Sequence, residues 1–294
     1  MAYRRLDLDE GYVEYVVDGP EDARDLLIFH VGTPSAAVQW PGLIAAAAAA
    51  GMRTASYSRG GYGSSTRRAG RSVADEATIT AALADRLGHD RFFTVGWSGG
   101  GPVALACAAR LGDRVRAAVA MASIAPRAEA GPVWDTFWTA EQLSEWNALT
   151  AGDLPSLLPD FEGAVAMFSR ITPRRLAALG GPPDARAVAH RHDLHVEPPL
   201  VQSMRRAVSH GHFGYLDDNL AQARDWGFRV ADIGVPVLVR HGELDRLVPF
   251  PNGEWLANAI PGARASFHAD AGHGSVALPW SDVISELVEA ARRA

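Results

Sequence analysis

The sequence predicts an α/β protein built on a mostly parallel sheet, and three observations lead to that class. Short apolar runs alternate with longer helical patterns over residues 25–123, which is typical of strands joined by crossover helices. The runs are continuously apolar, as in Leu26-Leu27-Ile28-Phe29, and such strands are buried on both faces of a sheet. The third observation is an apolar run from Phe92 that ends in Gly96-Trp97-Ser98-Gly99-Gly100 and leads into a helical pattern of small residues. This order indicates a strand, a sharp turn and a helix.

The first 125 residues supply the alternating elements in chain order. Residues Leu6–Val17 alternate apolar and polar side chains and predict an opening strand pair. Helices are expected at Pro41–Gly51, at Val73–Leu87 and directly after Ser98. The same patterns predict buried strands at Asp25–His30, at Met52–Tyr57, from Phe92 and at Val115–Ser123.

After Ala125 the pattern changes. Residues 126–230 carry helical patterns rich in tryptophan, arginine and histidine, and strand patterns return only at Val235–Val239. The remaining elements are a helix at Pro251–Ile260, a strand at Ala263–His268 and a helix at Trp280–Ala291. We therefore expect a core formed by residues 1–125 and 231–294, with residues 126–230 inserted as a helical cap.

Composition narrows the classes of partner. Of 294 residues, 48% are hydrophobic and 21% are charged, as in an ordinary globular protein with a full core. The net charge of −6 gives no reason to expect binding to nucleic acid or to an anionic membrane. The start of the chain lacks the apolar segment of a signal peptide, so a cytoplasmic location is expected. The expected partner is a small-molecule substrate, and no pattern indicates an oligomeric state.

The candidate nucleophile is Ser98. A serine in a glycine-rich turn is often only structural, but here a strand precedes the turn and a helix follows it, as a nucleophile requires. A serine hydroxyl also needs a base to take its proton and an acid to orient that base. We looked for both groups in loops that follow later strands.

The candidate acid is Asp245 and the candidate base is His273. Asp245 competes with Glu243 in the loop after Val239, and it is favoured because it lies deeper in that loop, before Val248-Pro249. His273 is flanked by glycines, whereas its closest rival, His268, falls within a strand pattern. The chain order serine, aspartate, histidine is the one that hydrolases with this turn show.

When a serine attacks a carbonyl carbon, the carbonyl oxygen becomes an oxyanion, and two main-chain N–H groups must hold it. One is expected from Gly99, directly after the nucleophile, and the other from Thr33 in the loop after the third predicted strand. Gly32 opens that loop, and Pro34 has no N–H to donate. The alternative interpretation of this loop is an ordinary glycine-proline turn.

Several motifs together resemble the α/β-hydrolase superfamily, in particular its capped esterase, haloperoxidase-like and proline iminopeptidase-like branches. They are His-x-Gly-Thr-Pro, Arg-Gly-Gly-Tyr-Gly-Ser-Ser, Gly-Trp-Ser-Gly-Gly, His-Gly-Glu-Leu-Asp-Arg-Leu-Val-Pro and Ala-Gly-His. The resemblance implies a mostly parallel eight-stranded sheet with helices on both faces, an inserted helical cap and no cofactor. Ser98 argues against the epoxide hydrolases and haloalkane dehalogenases, which carry aspartate at this turn. The tryptophan before Ser98 departs from the Gly-Gly-Ser-Trp-Gly motif of proline iminopeptidases.

Aromatic and histidine side chains near the predicted site have competing interpretations. Trp97, Trp134 and Trp138 are candidates for binding the substrate, although a small helical core would also use them. Histidines lie at positions 190, 192, 195, 210 and 212. No metal is expected there, because the flanking residues include no carboxylate or cysteine at the spacing of a metal-ligand set.

The sequence thus predicts a serine hydrolase that cleaves a carboxylic ester or related acyl compound through an acyl-enzyme intermediate. Two alternatives stay open at this point. One is an aminopeptidase of the proline iminopeptidase type. The other is a non-catalytic small-molecule receptor on the same scaffold.

Overall fold

The computed structural model describes residues 2–181 and 199–293, and it is organised around a mixed sheet. Within these residues the sheet has eight strands in the order β1-β2-β4-β3-β5-β6-β7-β8. The pairs β1–β2 and β2–β4 are antiparallel, and every other pair is parallel. In chain order the strands are Arg4–Asp7, Tyr12–Asp18, Asp25–His30, Met52–Tyr57, Phe92–Trp97, Val115–Met121, Val237–Gly242 and Arg264–His268.

The core helices cover both faces of this sheet. They are α1 (Pro41–Ala49), α2 (Asp75–Arg86), α3 (Gly101–Arg110), α11 (Pro251–Ala259) and α12 (Trp280–Arg293). A short 3-10 turn at Ser98–Gly100 joins β5 to α3. The predicted fold class, a mostly parallel eight-stranded sheet with helices on both faces, is confirmed.

Alternating side chains of the central strands fill two separate cores. Leu26 and Ile28 of β3 pack with α2, α3 and α11, whereas Leu27 and Phe29 pack with α1 and α12. All six residues of β3 are buried, because helices cover both faces of the strand. The continuous apolar run is thus a consequence of the two-sided packing.

Between β6 and β7 the described residues form helices and no strand. They are α4 (Arg127–Ala130), α5 (Pro132–Asp135), α6 (Ala140–Ala151), α7 (Leu154–Phe168), α8 (Pro173–Gly180), α9 (Pro199–Ala207) and α10 (Phe213–Ala223). We call residues 126–230 the cap. It touches the core closely at α9, where Ser203 exchanges two hydrogen bonds with Ala36. The division into core and cap at positions 126 and 230 stays a prediction.

The strand predicted at Val235–Val239 runs instead from Val237 to Gly242. Arg240 and His241 are buried strand residues, although polar side chains at a strand end predict a loop. Arg240 donates to the carbonyl of Val276 and to the Glu286 carboxylate, and His241 Nε2 lies 2.9 Å from the carbonyl oxygen of Val248. Because partners outside the strand receive both side chains, the strand continues to the edge of the candidate site.

Candidate active site

The turn that carries Ser98 is built from close main-chain contacts. Ser98 adopts a left-handed backbone conformation with φ of 55°, which is strained for a residue with a side chain. A Cβ atom on Gly96 would lie 2.1 Å from the carbonyl oxygen of Gly100, and one on Gly100 would lie 2.0 Å from that of His30. Only glycine fits at both positions, so the glycines of the motif are required by packing.

Asp245 lies in the loop after β7 and is buried, with 7% of its surface exposed. Its Oδ1 accepts hydrogen bonds from the main-chain N–H groups of Leu247 and Val248, each at 2.9 Å. Its Oδ2 lies 3.4 Å from Nε2 of His241. Burial raises the pKa of Asp245, but attraction to His273 and hydrogen bonds from His241 and His273 outweigh it, and the pKa lies well below its usual range. Asp245 is therefore a carboxylate.

The loop after β8 brings His273 to this carboxylate. Nδ1 of His273 lies 2.8 Å from Oδ2 of Asp245, and both side chains are buried. Trp97 fixes the main chain of His273, because its indole N–H donates to the His273 carbonyl at 2.9 Å. The two rings also lie close, with centroids 5.7 Å apart. The residue that precedes Ser98 in sequence therefore holds the histidine loop against the nucleophile strand.

The loop after β3 packs against the other side of the Ser98 turn. A Cβ atom on Gly32 would lie 3.0 Å from Cβ of Ser98 and 3.5 Å from its Oγ. A Cβ atom on Gly99 would lie 2.3 Å from Oγ1 of Thr33. Gly32 and Gly99 thus let two main-chain segments approach each other, and the two predicted oxyanion donors lie on those segments.

The rival acid and base occupy other surroundings. Glu243 is exposed, whereas Asp245 is buried beside His273. His268 is the last residue of β8, and its Nε2 lies 3.1 Å from Oγ of Ser266. The structure therefore brings Asp245, and not Glu243, to His273, and the roles of acid and base beside Ser98 stay a prediction.

The three tryptophans proposed for substrate binding have packing partners. Trp97 is buried and braces His273, as described above. Trp134 is 1% exposed, and its indole N–H donates to the Ala125 carbonyl at 2.8 Å. Trp138 is half-buried, and its ring centroid lies 5.0 Å from that of Trp134 and 5.4 Å from that of Trp146. Packing accounts for Trp97 and Trp134, and a substrate contact for any of the three stays a prediction.

Two contacts of the site were missed from the sequence. The sequence predicts a loop at His241, but this residue lies beside Asp245 as part of β7. Arg59, part of the Arg-Gly-Gly-Tyr-Gly-Ser-Ser motif, donates to the carbonyls of Val31 and Gly32 at 2.7 and 3.0 Å. Arg59 lies 28 positions from Val31 and 27 positions from Gly32 in the sequence. No local pattern signals contacts over such separations.

Three of the five histidines weighed as metal ligands, those at positions 190, 192 and 195, lie outside the described residues. Among residues 2–181 and 199–293, the structure has no cluster of three metal-ligating side chains. Over the same two ranges, no helix combines the length and the apolar character that crossing a bilayer demands.

Comparison with known proteins agrees with this fold. The family described as alpha/beta hydrolase fold matches residues 25–277. The chain therefore belongs to the α/β-hydrolase fold family, which is the class expected from the motifs.

Two curated relatives of this chain are named as esterases. The chain is 30% identical over 179 residues to the pimeloyl-[acyl-carrier protein] methyl ester esterase of Aromatoleum aromaticum, a match that covers 60% of this chain and 65% of that enzyme. It is 27% identical over 269 residues to the bifunctional esterase/perhydrolase DCH of Acinetobacter calcoaceticus, with 87% of each chain covered.

A solved structure shares the fold across the whole chain. The bromoperoxidase of Bacillus anthracis superposes with a TM-score of 0.68 at 19% identity, over 98% of this chain and 100% of that chain. At this level of identity the likeness concerns the fold alone.

Proposed function

We propose that the protein is a serine hydrolase that cleaves a carboxylic ester through an acyl-enzyme intermediate. The observation that carries the proposal is the buried pair Asp245–His273, with Nδ1 and Oδ2 2.8 Å apart, braced by the residue next to the strained Ser98. A carboxylate on Nδ1 leaves Nε2 as the nitrogen that can take a proton from a serine hydroxyl. Both curated relatives carry esterase in their names, which supports an ester as the substrate.

The chemistry proceeds in two halves. Ser98 Oγ attacks the ester carbonyl carbon while Nε2 of His273 takes its proton, and the negative charge that forms on the carbonyl oxygen is held by the amides of Thr33 and Gly99. Asp245 stabilises the imidazolium. The C–O bond then breaks, the alcohol leaves with the proton from His273, and the acyl group stays on Ser98. His273 then takes a proton from a water molecule as the water attacks the acyl carbon, and it returns that proton to Ser98 Oγ as the bond to serine breaks and the acid leaves.

Labelling with a fluorophosphonate tests this assignment. The wild-type protein is expected to lose activity towards a p-nitrophenyl ester as one phosphonyl group attaches to Ser98. Ser98→Ala should turn over at least about 10³-fold more slowly. Ser64→Ala changes an exposed serine outside the cap. It serves as the control and should react like the wild type. Wild-type turnover by Ser98→Ala would contradict the proposal.

The same preparation separates the two alternatives. An aminopeptidase of the proline iminopeptidase type would release proline from the N-terminus of short peptides faster than it cleaves p-nitrophenyl esters. A receptor would hydrolyse its ligand at most once and retain the product. Repeated turnover of simple esters, with little release of proline, is the result expected for the esterase.

A further inference from the structure

A cap carboxylate, Asp218 on α10, lies inside a cluster of core side chains that are buried, except for the partly buried Thr33. Its Oδ2 accepts hydrogen bonds from Oγ1 of Thr33 at 2.7 Å and from the hydroxyl of Tyr62 at 2.9 Å. Nε of Arg59 donates to Oδ1 at 3.0 Å, and Arg71 also donates to Oδ1. We call these five residues the Asp218 cluster. It joins the cap to the loop that carries one predicted oxyanion donor.

The cluster is charge-balanced and shielded from water. Asp218 is 2% exposed, Arg59 is 2% exposed and Tyr62 is fully buried. Glu76, also fully buried, lies 3.5 Å from Arg71 and supplies the second negative charge for the two guanidinium groups. Burial raises the pKa of Asp218, but the charges and hydrogen bonds of Arg59 and Arg71 outweigh that effect and hold the pKa well below its usual range. Asp218 is thus an anion at neutral pH.

We call the loop after β3, which contains Val31, Gly32 and Thr33, the oxyanion loop. Through the Asp218 cluster, α10 fixes the main chain of this loop and the side chain of Thr33. Arg59, oriented by Asp218, donates to the carbonyls of Val31 and Gly32. The Thr33 hydroxyl donates to Asp218 and accepts from Arg59 at 3.1 Å and from Gln222 of α10 at 3.2 Å. One donor and two acceptors are the full capacity of a hydroxyl. Three consecutive residues of the loop are therefore held in place.

The structure assigns to Asp218 the role of a positioning residue for the oxyanion hole: the cap carboxylate, acting through Arg59 and the Thr33 hydroxyl, holds the Thr33 amide beside Gly99. This inference rests on the proposed function and extends it. The cap then contributes more than a cover over the site, because one of its helices forms part of the support of the catalytic loop. Oxyanion donors act only when preorganised, and a displacement of about 1 Å can lower a rate about 100-fold.

The chain offers a matched control in the neighbouring residue. Asp217 lies on the same helix, is 4% exposed and accepts two hydrogen bonds from Arg67 of the core, at 2.8 and 3.0 Å. This second ion pair also joins cap to core, but neither of its hydrogen bonds involves the oxyanion loop. A difference between Asp218→Asn and Asp217→Asn therefore isolates the connection to the loop from cap docking in general.

The experiment measures kcat and KM for a p-nitrophenyl ester, per active site titrated with a fluorophosphonate, in both variants. We expect Asp218→Asn to lower kcat about 100-fold with KM changed less than about threefold. Asp217→Asn is expected to stay within about threefold of the wild type. Equal kcat values per active site for the wild type and Asp218→Asn would overturn the inference. An equal loss in the two variants would also overturn it, because cap docking would then explain the effect.

A second pair of variants keeps the inference testable if Asp218→Asn does not fold. Thr33→Val removes the hydroxyl and keeps the main-chain amide, and Thr33→Ser restores the hydroxyl. We expect kcat to fall about 10-fold in Thr33→Val and to return to within about twofold in Thr33→Ser. A Thr33→Val variant with wild-type kcat would contradict the inference.

Binding of a trifluoromethyl ketone separates positioning from folding. The ketone forms a tetrahedral oxyanion with the active serine, so its affinity should fall in Asp218→Asn by the same factor as kcat. A merely structural role would lower the active fraction and leave the affinity of the remaining sites unchanged. Failure of the proposed function looks different, because the wild type itself would then neither react with the fluorophosphonate nor bind the ketone.

Discussion

At the scale of single residues, the candidate site depends on which acid faces His273. Asp245 is buried and accepts two main-chain hydrogen bonds on one oxygen while the other oxygen faces the imidazole. This arrangement keeps Nδ1 protonated and the ring in one orientation. Glu243, two residues away, is exposed. Substitutions of Glu243 and Asp245 can therefore be compared directly.

Replacement of the two acids tests that distinction. Asp245→Asn keeps the shape of the side chain but presents an amide to the imidazole, which stabilises the wrong tautomer, so kcat should fall about 10⁴-fold. Glu243→Gln is expected to stay within about twofold of the wild type. Steady-state hydrolysis of a p-nitrophenyl ester provides the measurement. Equal activity of the two variants would contradict the role of Asp245 as the acid that orients His273.

At the scale of elements, the start of α10 reaches the core through a contact between two glycines. A Cβ atom on Gly214 would lie 2.7 Å from the main-chain carbon of Gly61, and one on Gly61 would lie 2.8 Å from Cα of Gly214. The loop after β4 and the first turn of α10 thus touch main chain to main chain. This approach brings Asp218, one turn further along the helix, within reach of Arg59.

Addition of one methyl group tests whether that approach matters. Gly214→Ala should force α10 away from the loop, lowering the free energy of unfolding by about 1–3 kcal/mol and kcat with it. Gly163→Ala is the matched control, because a Cβ atom on this glycine of α7 meets no atom within 4 Å. It should be neutral or stabilising by up to about 1 kcal/mol. Urea unfolding of both variants checks the expectation, and equal stabilities would contradict it.

At the scale of the whole molecule, the sheet predicted from the sequence was confirmed where apolar runs are continuous. The bounds Asp25–His30 and Met52–Tyr57 coincide with the observed strands, and within Asp25–His30 burial on both faces leaves an unbroken apolar run from Leu26 to Phe29. The predicted end of β7 was wrong, because Arg240 and His241 are polar residues that are buried in the strand. Arg240 is held there by Val276 and Glu286, which no local pattern links to it. The Asp218 cluster could not be predicted either, because Arg59 and Asp218 are 159 positions apart and no local period links them.

Cap docking also makes stability depend on pH. Because the pKa of Asp218 is lower in the folded state, its stabilisation is fully present above the ordinary carboxyl pKa of about 4 and is lost as the pH falls below that value. We expect Asp218→Asn to cost about 3–5 kcal/mol of unfolding free energy at pH 7. The difference from the wild type should shrink between pH 4 and lower values. Urea unfolding at several pH values measures it, and a difference that grows on acidification would contradict this origin.

The most direct test of the account is to locate the acyl group during turnover. Wild-type protein mixed with p-nitrophenyl acetate, quenched within the first turnover and digested, should carry acetyl on the peptide that contains Ser98. His273→Ala should carry little or none, whereas His268→Ala should match the wild type. An active wild-type protein with no acetyl on Ser98, or with acetyl on another residue instead, would contradict the account.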